Sequence, residues 1–350
     1  MPFGATAERI ASARSGKRPK LESPVRWGVL GAAKIAVHKV IPGMQGSEMS
    51  RVEAIASRLE DRAREAASRL GIPKVYGSYE DLLADPDLEA VYIPLPNHLH
   101  AEWALAAAEA GKHVLCEKPM AMTSAEAQTM VDGCAQAGVK LMEAFMYRLH
   151  PMWVEVQRMV SSGLIGEVRA FQAVVSYTNV DAANIRNVPE FGGGALYDIG
   201  CYPVNMARML FGSEPTAVKG AINRDEAFGT DVVTSALLDF DGRHATFTAS
   251  TQMGDDQRAA IHGTEGHLIV EIPINIPPGH ATRILHVAGG DPPMDPHVEI
   301  HEIPPADQYG VQADAFSRAI RQNTQVPTPP EDAVANLVVL ERIFADAAQP

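Results

Sequence analysis

Between Arg26 and Glu143 the chain alternates short apolar runs with longer alanine-rich stretches of helical character. The apolar runs are WGVLG (27–31), VEAIAS (52–57), KVYG (74–77), AVYIPL (90–95), HVLC (113–116) and KLMEAF (140–145). LEDRAREAASRLG (59–71), AEWALAAAEAG (101–111) and SAEAQTMVDGCAQAG (124–138) lie between them, each closed by a glycine, the usual helix stop. Few architectures accept this rhythm. Parallel strands need crossover helices, so the pattern predicts a doubly wound parallel sheet. After Pro151 the character changes. A helix (PMWVEVQRMVSSG) leads into runs with two-residue alternation at 167–178, 231–240, 243–250 and 267–272, which predict a large open, mainly antiparallel sheet. The Gly/Pro-rich stretch 277–294 reads as surface loop, and the last helix (332–348) is expected to pack back onto one of the domains. The resulting division is a leader at 1–25, a doubly wound α/β domain at 26–148 and a second domain with the open sheet at 149–350.

Composition narrows the partners. A formal net charge of −13 lacks the basic footprint that nucleic acid requires. No apolar run reaches the roughly 18 residues of a membrane span. Residues 1–22 carry five Lys/Arg and no apolar core, so they do not read as a secretory signal and are expected to be a flexible leader. Cys116, Cys134 and Cys201 show no metal spacing and suit reduced thiols in a cytoplasmic protein.

The ligand edge of a parallel sheet lies beyond its strand ends. The first such turn is Gly31-Ala32-Ala33-Lys34-Ile35-Ala36, a dinucleotide fingerprint with alanine at its second glycine position. The second strand ends in Ser57-Arg58, where an NAD site usually places a carboxylate; a hydroxyl and a guanidinium suit a 2′-phosphate, so NADP is expected over NAD. Pro94, Pro96, Asn97 and His98 follow the fourth strand, with Asn97 read either as a helix cap or as lining of the nicotinamide pocket. His98 and His100 lack the companions of a metal site, and no metal is expected. Glu117-Lys118-Pro119 follows the fifth strand on the same edge. Far along the chain, FGGGALYDIGCY (191–202) joins a close-approach glycine loop to Asp198 and Tyr202, which share a face if the segment is helical.

The Gly31–Ala36 turn, Glu117-Lys118-Pro119 and Asp198-Ile-Gly-Cys-Tyr202 together resemble the glucose–fructose oxidoreductase / inositol dehydrogenase / MocA family, over nearly the whole chain from about residue 26. EAFMYRLHP (143–151) and GGGALYDIGCY are most similar to its dimeric dihydrodiol dehydrogenase and NADP-dependent xylose dehydrogenase branch. The resemblance implies hydride transfer between NADP and a hydroxyl or carbonyl carbon of a sugar, polyol or cyclic diol. It implies Lys118 and Tyr202 as the acid/base pair, Asp198 as a positioner of substrate, a cis Lys118–Pro119 bond, and a homodimer or homotetramer built through the open sheet. Arg148 and Asn184 are weaker candidates for substrate contact. Free tyrosine titrates near ~10, and a lysine cation ~4 Å away at an effective dielectric of ~20 supplies on the order of 4 kcal/mol, enough to bring Tyr202 toward neutrality. A keto- or anhydro-sugar reductase would use the same residues in reverse; a non-catalytic NADP-sensing, sugar-responsive regulator is the other reading, against which the retained Lys118, Asp198 and Tyr202 argue.

Overall fold

The computed structural model describes residues 23–290 and 296–349; the expected leader falls outside these up to residue 22, as do residues 291–294 of the expected 277–294 loop. Six parallel strands form the first sheet: β1 (Val25–Leu30), β2 (Ser50–Ala56), β3 (Lys74–Tyr76), β4 (Ala90–Ile93), β5 (His113–Cys116) and β6 (Leu141–Glu143). Their order, β3-β2-β1-β4-β5-β6, reverses direction between β1 and β4. That reversal opens a crevice beyond the strand ends. β1, β4 and β5 are buried on both faces, which is why they read as unbroken apolar runs.

The second sheet has eight strands: β7 (Val168–Thr178), β8 (Ala217–Arg224), β9 (Asp231–Asp239), β10 (His244–Ser250), β11 (Gln252–Gly263), β12 (Gly266–Val270), β13 (Thr282–Ala288) and β14 (Val298–Ile303). The order is β14-β13-β12-β11-β7-β10-β9-β8, antiparallel throughout except for the β7–β10 pair. Phe171, Ala173, Leu238, Phe247 and Leu268 point into the core, while Gln172, Val174, Leu237, Thr246 and Thr248 line the open face. The expectation of loop at 277–294 is corrected by β13. Its TRILHVA run alternates as a strand should, but the flanking glycines and prolines mask it.

Two C-terminal helices close the molecule. Gln308–Arg321 lies on the first sheet, where Trp27 packs against Phe316 with the rings tilted and their centres 5.6 Å apart, and donates its indole N–H to Ser317 at 3.3 Å. Glu331–Ala347 packs between β8, the helix Ser124–Gln136 and the helix Cys201–Phe211. Ser124 donates through its backbone N–H and its hydroxyl to the Glu341 carboxylate, at 2.7 and 2.8 Å. No described helix is long and apolar enough to cross a membrane.

Candidate active site

The crevice at the β1/β4 reversal is lined by the turns that the sequence singles out. Gly31 ends β1 with φ +118°, a conformation that a residue with a side chain rarely adopts, and its N–H donates to the Ala56 carbonyl at 2.9 Å. Ala32, Ala33 and Ile35 are half-buried in the turn, with Lys34 exposed. At the end of β2, Ser57 is buried and its Oγ accepts the Leu59 N–H at 3.2 Å. Arg58 is exposed and reaches the Tyr79 hydroxyl.

Beyond β4, Pro94 is buried and Pro96 half-buried. Asn97 does not cap the helix behind it. Its amide donates to the Gly192 carbonyl at 3.0 Å, tying this loop to the distant glycine loop. His98 stacks on Phe191 across the same junction at 4.5 Å. His100 is a strut: fully buried, its two ring nitrogens lie 2.8 Å from the Leu95 carbonyl and 3.0 Å from the Pro119 carbonyl. Burial lowers its pKa to about 4, so the ring is neutral and donates through one nitrogen only.

The Lys118–Pro119 bond is cis. Tyr92 donates its hydroxyl to Glu117 at 2.6 Å, and burial raises the Glu117 carboxyl despite that bond and the nearby Lys118 charge. Lys118 crosses to the second domain, where its ammonium donates to the Asp198 carbonyl at 2.6 Å and to Asp198 Oδ1 at 3.2 Å. The same nitrogen stands 5.0 Å from the centre of the Tyr202 ring.

Asp198 and Tyr202 reach Lys118 because of how their segment begins. Gly194 adopts φ +115°, and a Cβ there would fall 1.9 Å from Asp231 Oδ1. Asp231 in turn accepts the Leu196 N–H at 2.7 Å and the Thr234 hydroxyl at 2.8 Å, anchoring the segment's first residues. A π-helical turn, Leu196–Gly200, then runs into the helix Cys201–Phe211, and both side chains face Lys118.

Two further residues meet Asp198. Tyr177, at the end of β7, donates its hydroxyl to Oδ2 at 2.6 Å, and Arg186 donates Nε to the same oxygen at 2.9 Å. Burial alone would raise the Asp198 carboxyl, but Lys118 and Arg186 hold it well below the usual carboxylate range. Burial likewise pulls the Lys118 ammonium down, and Asp198 more than offsets that, so Lys118 stays charged. A third unforeseen residue is Tyr309, whose buried hydroxyl has no hydrogen-bond partner and which burial and the nearby Glu117 charge keep protonated.

One expectation changes, and two weaker candidates are already bonded within the chain. The Tyr202 hydroxyl is not drawn toward neutrality: Lys118 lies over the ring face, the hydroxyl meets only Met146 Sδ at 3.8 Å, and burial raises it well above its ordinary value. Arg148 binds Asp332 at 2.8 Å and Asn205 at 3.0 Å. Asn184 commits its side-chain oxygen to the Arg186 N–H at 3.1 Å, capping the turn that carries Arg186.

The sequence and the fold are both shared with known proteins. A family model described as an oxidoreductase family with an NAD-binding Rossmann fold matches residues 25–145, and the GFO/IDH/MocA C-terminal domain matches residues 153–269. An uncharacterized oxidoreductase of Rhizobium meliloti is 47% identical over 92% of this chain and 97% of its own. A D-xylose 1-dehydrogenase (NADP+) of Haloferax volcanii is 39% identical over the same shares, 92% and 97%. Among solved structures, a 3-ketoreductase from Actinomadura kijaniata in complex with NADP and TDP-benzene superposes with a TM-score of 0.86 at 31% identity, covering 92% of this chain and 97% of that one.

Proposed function

This chain belongs to the glucose–fructose oxidoreductase / inositol dehydrogenase / MocA oxidoreductase family, and on that premise we propose that it moves a hydride between NADP and a hydroxyl or carbonyl carbon of a sugar, polyol or cyclic diol. NADP supplies the hydride acceptor or donor at its nicotinamide. The residues present fit it. Gly31 to Ile35 form the turn for the pyrophosphate, Ser57 and Arg58 stand where a 2′-phosphate would lie, and no carboxylate ends β2 to repel one. Pro94, Pro96, Asn97, His98, Glu117 and Lys118 border the nicotinamide end of the same crevice.

One observation carries the reading: the Lys118 ammonium, fixed between Asp198 and the ring of Tyr202. In reduction, negative charge grows on the substrate oxygen, and a charged lysine beside a protonated phenol can both stabilise that charge and deliver the proton. Asp198 keeps Lys118 charged and aimed. Arg186, held through Nε alone, presents the rest of its guanidinium to substrate hydroxyls or a phosphate.

A second reading, keto-sugar reductase, is favoured by the same groups. The likeness to the Actinomadura 3-ketoreductase supports it, with Lys118 and Tyr202 as proton donors. The open face of the second sheet, with Val174, Leu237 and Ile269, suits self-association into a homodimer or homotetramer. Three buried free cysteines suit a cytoplasmic setting.

The test follows NADPH absorbance with NADP+ and NAD+ against aldoses, inositols and cyclic diols, and with NADPH against keto-sugars, beside Lys118→Ala. The expected result is turnover with NADP in at least one direction, reduced about 10³-fold or more in the variant. Tight NADPH binding without turnover in either direction would replace this reading with the sensor.

A further inference from the structure

The second sheet holds a cluster that hydride transfer does not use. Across the β13–β14 pair, His286 stands opposite Glu299 and Ile284 opposite His301. The two-residue alternation of strands therefore turns His286, Glu299 and His301 to one face. It is the core side, because His286 also pairs with Leu268, which is fully buried.

His286 is only 9% exposed, and the Nε2 atoms of both histidines are buried without a hydrogen-bond partner. His286 Nδ1 lies 3.5 Å from Glu299 Oε2, and His301 Nε2 lies 3.5 Å from Glu299 Oε1. The atoms that the three residues can offer to an ion all fall within 4.8 Å of one another.

The spacing discriminates between two meanings. Charge-assisted N–H···O bonds run about 2.7–2.9 Å, so both contacts are slack as ion pairs. Donors about 2.0–2.1 Å from a tetrahedral ion stand about 3.4 Å apart; the two contacts, one to each Glu299 oxygen, are near that span, and the three ligand atoms gather within 4.8 Å. We propose that His286, Glu299 and His301 form a site for a divalent late first-row metal, zinc by donor chemistry, that staples β14 to β13. Two imidazoles and one carboxylate suit zinc and its neighbours, whereas magnesium and calcium prefer all-oxygen shells. Glu299 is exposed and gives the ion its entry path, leaving a fourth position to water.

The test uses untagged full-length protein, stripped with chelator and titrated with Co2+ and then Zn2+. The expected result is the visible absorption of tetrahedral Co2+ saturating at about one ion per chain, displaced by Zn2+, with a higher Tm in the zinc form. His301→Ala and Glu299→Gln should each weaken binding by about 100-fold or more and leave hydride transfer unchanged. Glu299 is exposed, so its variant decides the matter even if His301→Ala fails to fold. Absence of a tetrahedral spectrum up to about millimolar Co2+, or binding equally tight in Glu299→Gln, would overturn the site and leave a metal-free His–Glu–His contact.

Discussion

Two charge networks border the helix Cys201–Phe211, and they differ in what they leave unfilled. At its start are Lys118, Tyr177, Arg186 and Asp198. Along its body are Tyr147, Arg148, Asn205, Arg208, Glu214 and Asp332. In the second network the polar groups answer one another. Asn205 accepts from Tyr147 at 2.6 Å and donates to Asp332 at 2.9 Å, while Arg208 clamps Glu214 at 2.7 and 2.8 Å and reaches Asp332 at 3.2 Å. In the first network Arg186 bonds through Nε alone and its side chain stays 41% exposed. The nearby hydroxyls of Tyr202 and Tyr309 have a sulfur at 3.8 Å and no partner, respectively. A closed network holds two parts of a chain together. An open one keeps donors ready for something that is not part of the chain.

Neutralising one carboxylate in each network separates these roles. Asp198→Asn removes the charge that keeps Lys118 protonated and aimed, so kcat should fall about 10²–10⁴-fold and its pH profile should shift, with the KM for NADP within a few-fold of wild type. An Asn variant with normal turnover and profile would make the Lys118 network as structural as the other. Asp332→Asn leaves Arg148 and Arg208 without their shared counter-ion. It should cost about 3 kcal/mol in denaturant unfolding while kcat per folded molecule is unchanged. Lost turnover in the folded fraction would erase the distinction.

The networks were unequally legible in the sequence. Lys118, Asp198 and Tyr202 stand out because each follows a strand end or a glycine loop where a charge or phenol has no routine reason to be. Tyr177 and Arg186 left no such mark: one closes an alternating strand and the other sits in a short turn, and only folding brings them to one oxygen. The signal that could have found them is Asp198 itself, since a buried carboxylate demands more partners than a single lysine. Arg148 and Asn184 show the converse, because long polar residues near a cleft can be bonded within the chain as readily as they can bind a ligand. The same contrast holds between the sheets. All six parallel strands are readable as apolar runs, whereas β11 begins as QMGDDQ and β13 hides among glycines and prolines. With β13 and β14 unread, the approach of His286 to Glu299 and His301 could not be foreseen.

Glu143 lies between the two networks and gives the finest test of their separation. At the end of β6 it accepts the Met120 N–H through Oε1 at 2.7 Å, steadying the loop that carries Lys118, while Oε2 is buried and unpaired. Burial raises its carboxyl to about 8, aided by Asp332 and opposed by the Met120 N–H, Arg208 and Arg148. A neutral acid in the folded state faces an unfolded carboxyl that ionises near 4.5. Between those values the unfolded chain binds fewer protons, so stability falls as pH rises from about 4.5 to about 8 and then levels off. Glu143→Gln cannot ionise and should escape that loss. Its Tm relative to wild type should climb by a few degrees between pH ~5 and ~8. Parallel Tm curves would mean that Glu143 is ionised in the fold, its charge balanced by Arg148 and Arg208. The loop beneath Lys118 would then be electrostatically continuous with the structural network, and the two networks would be one.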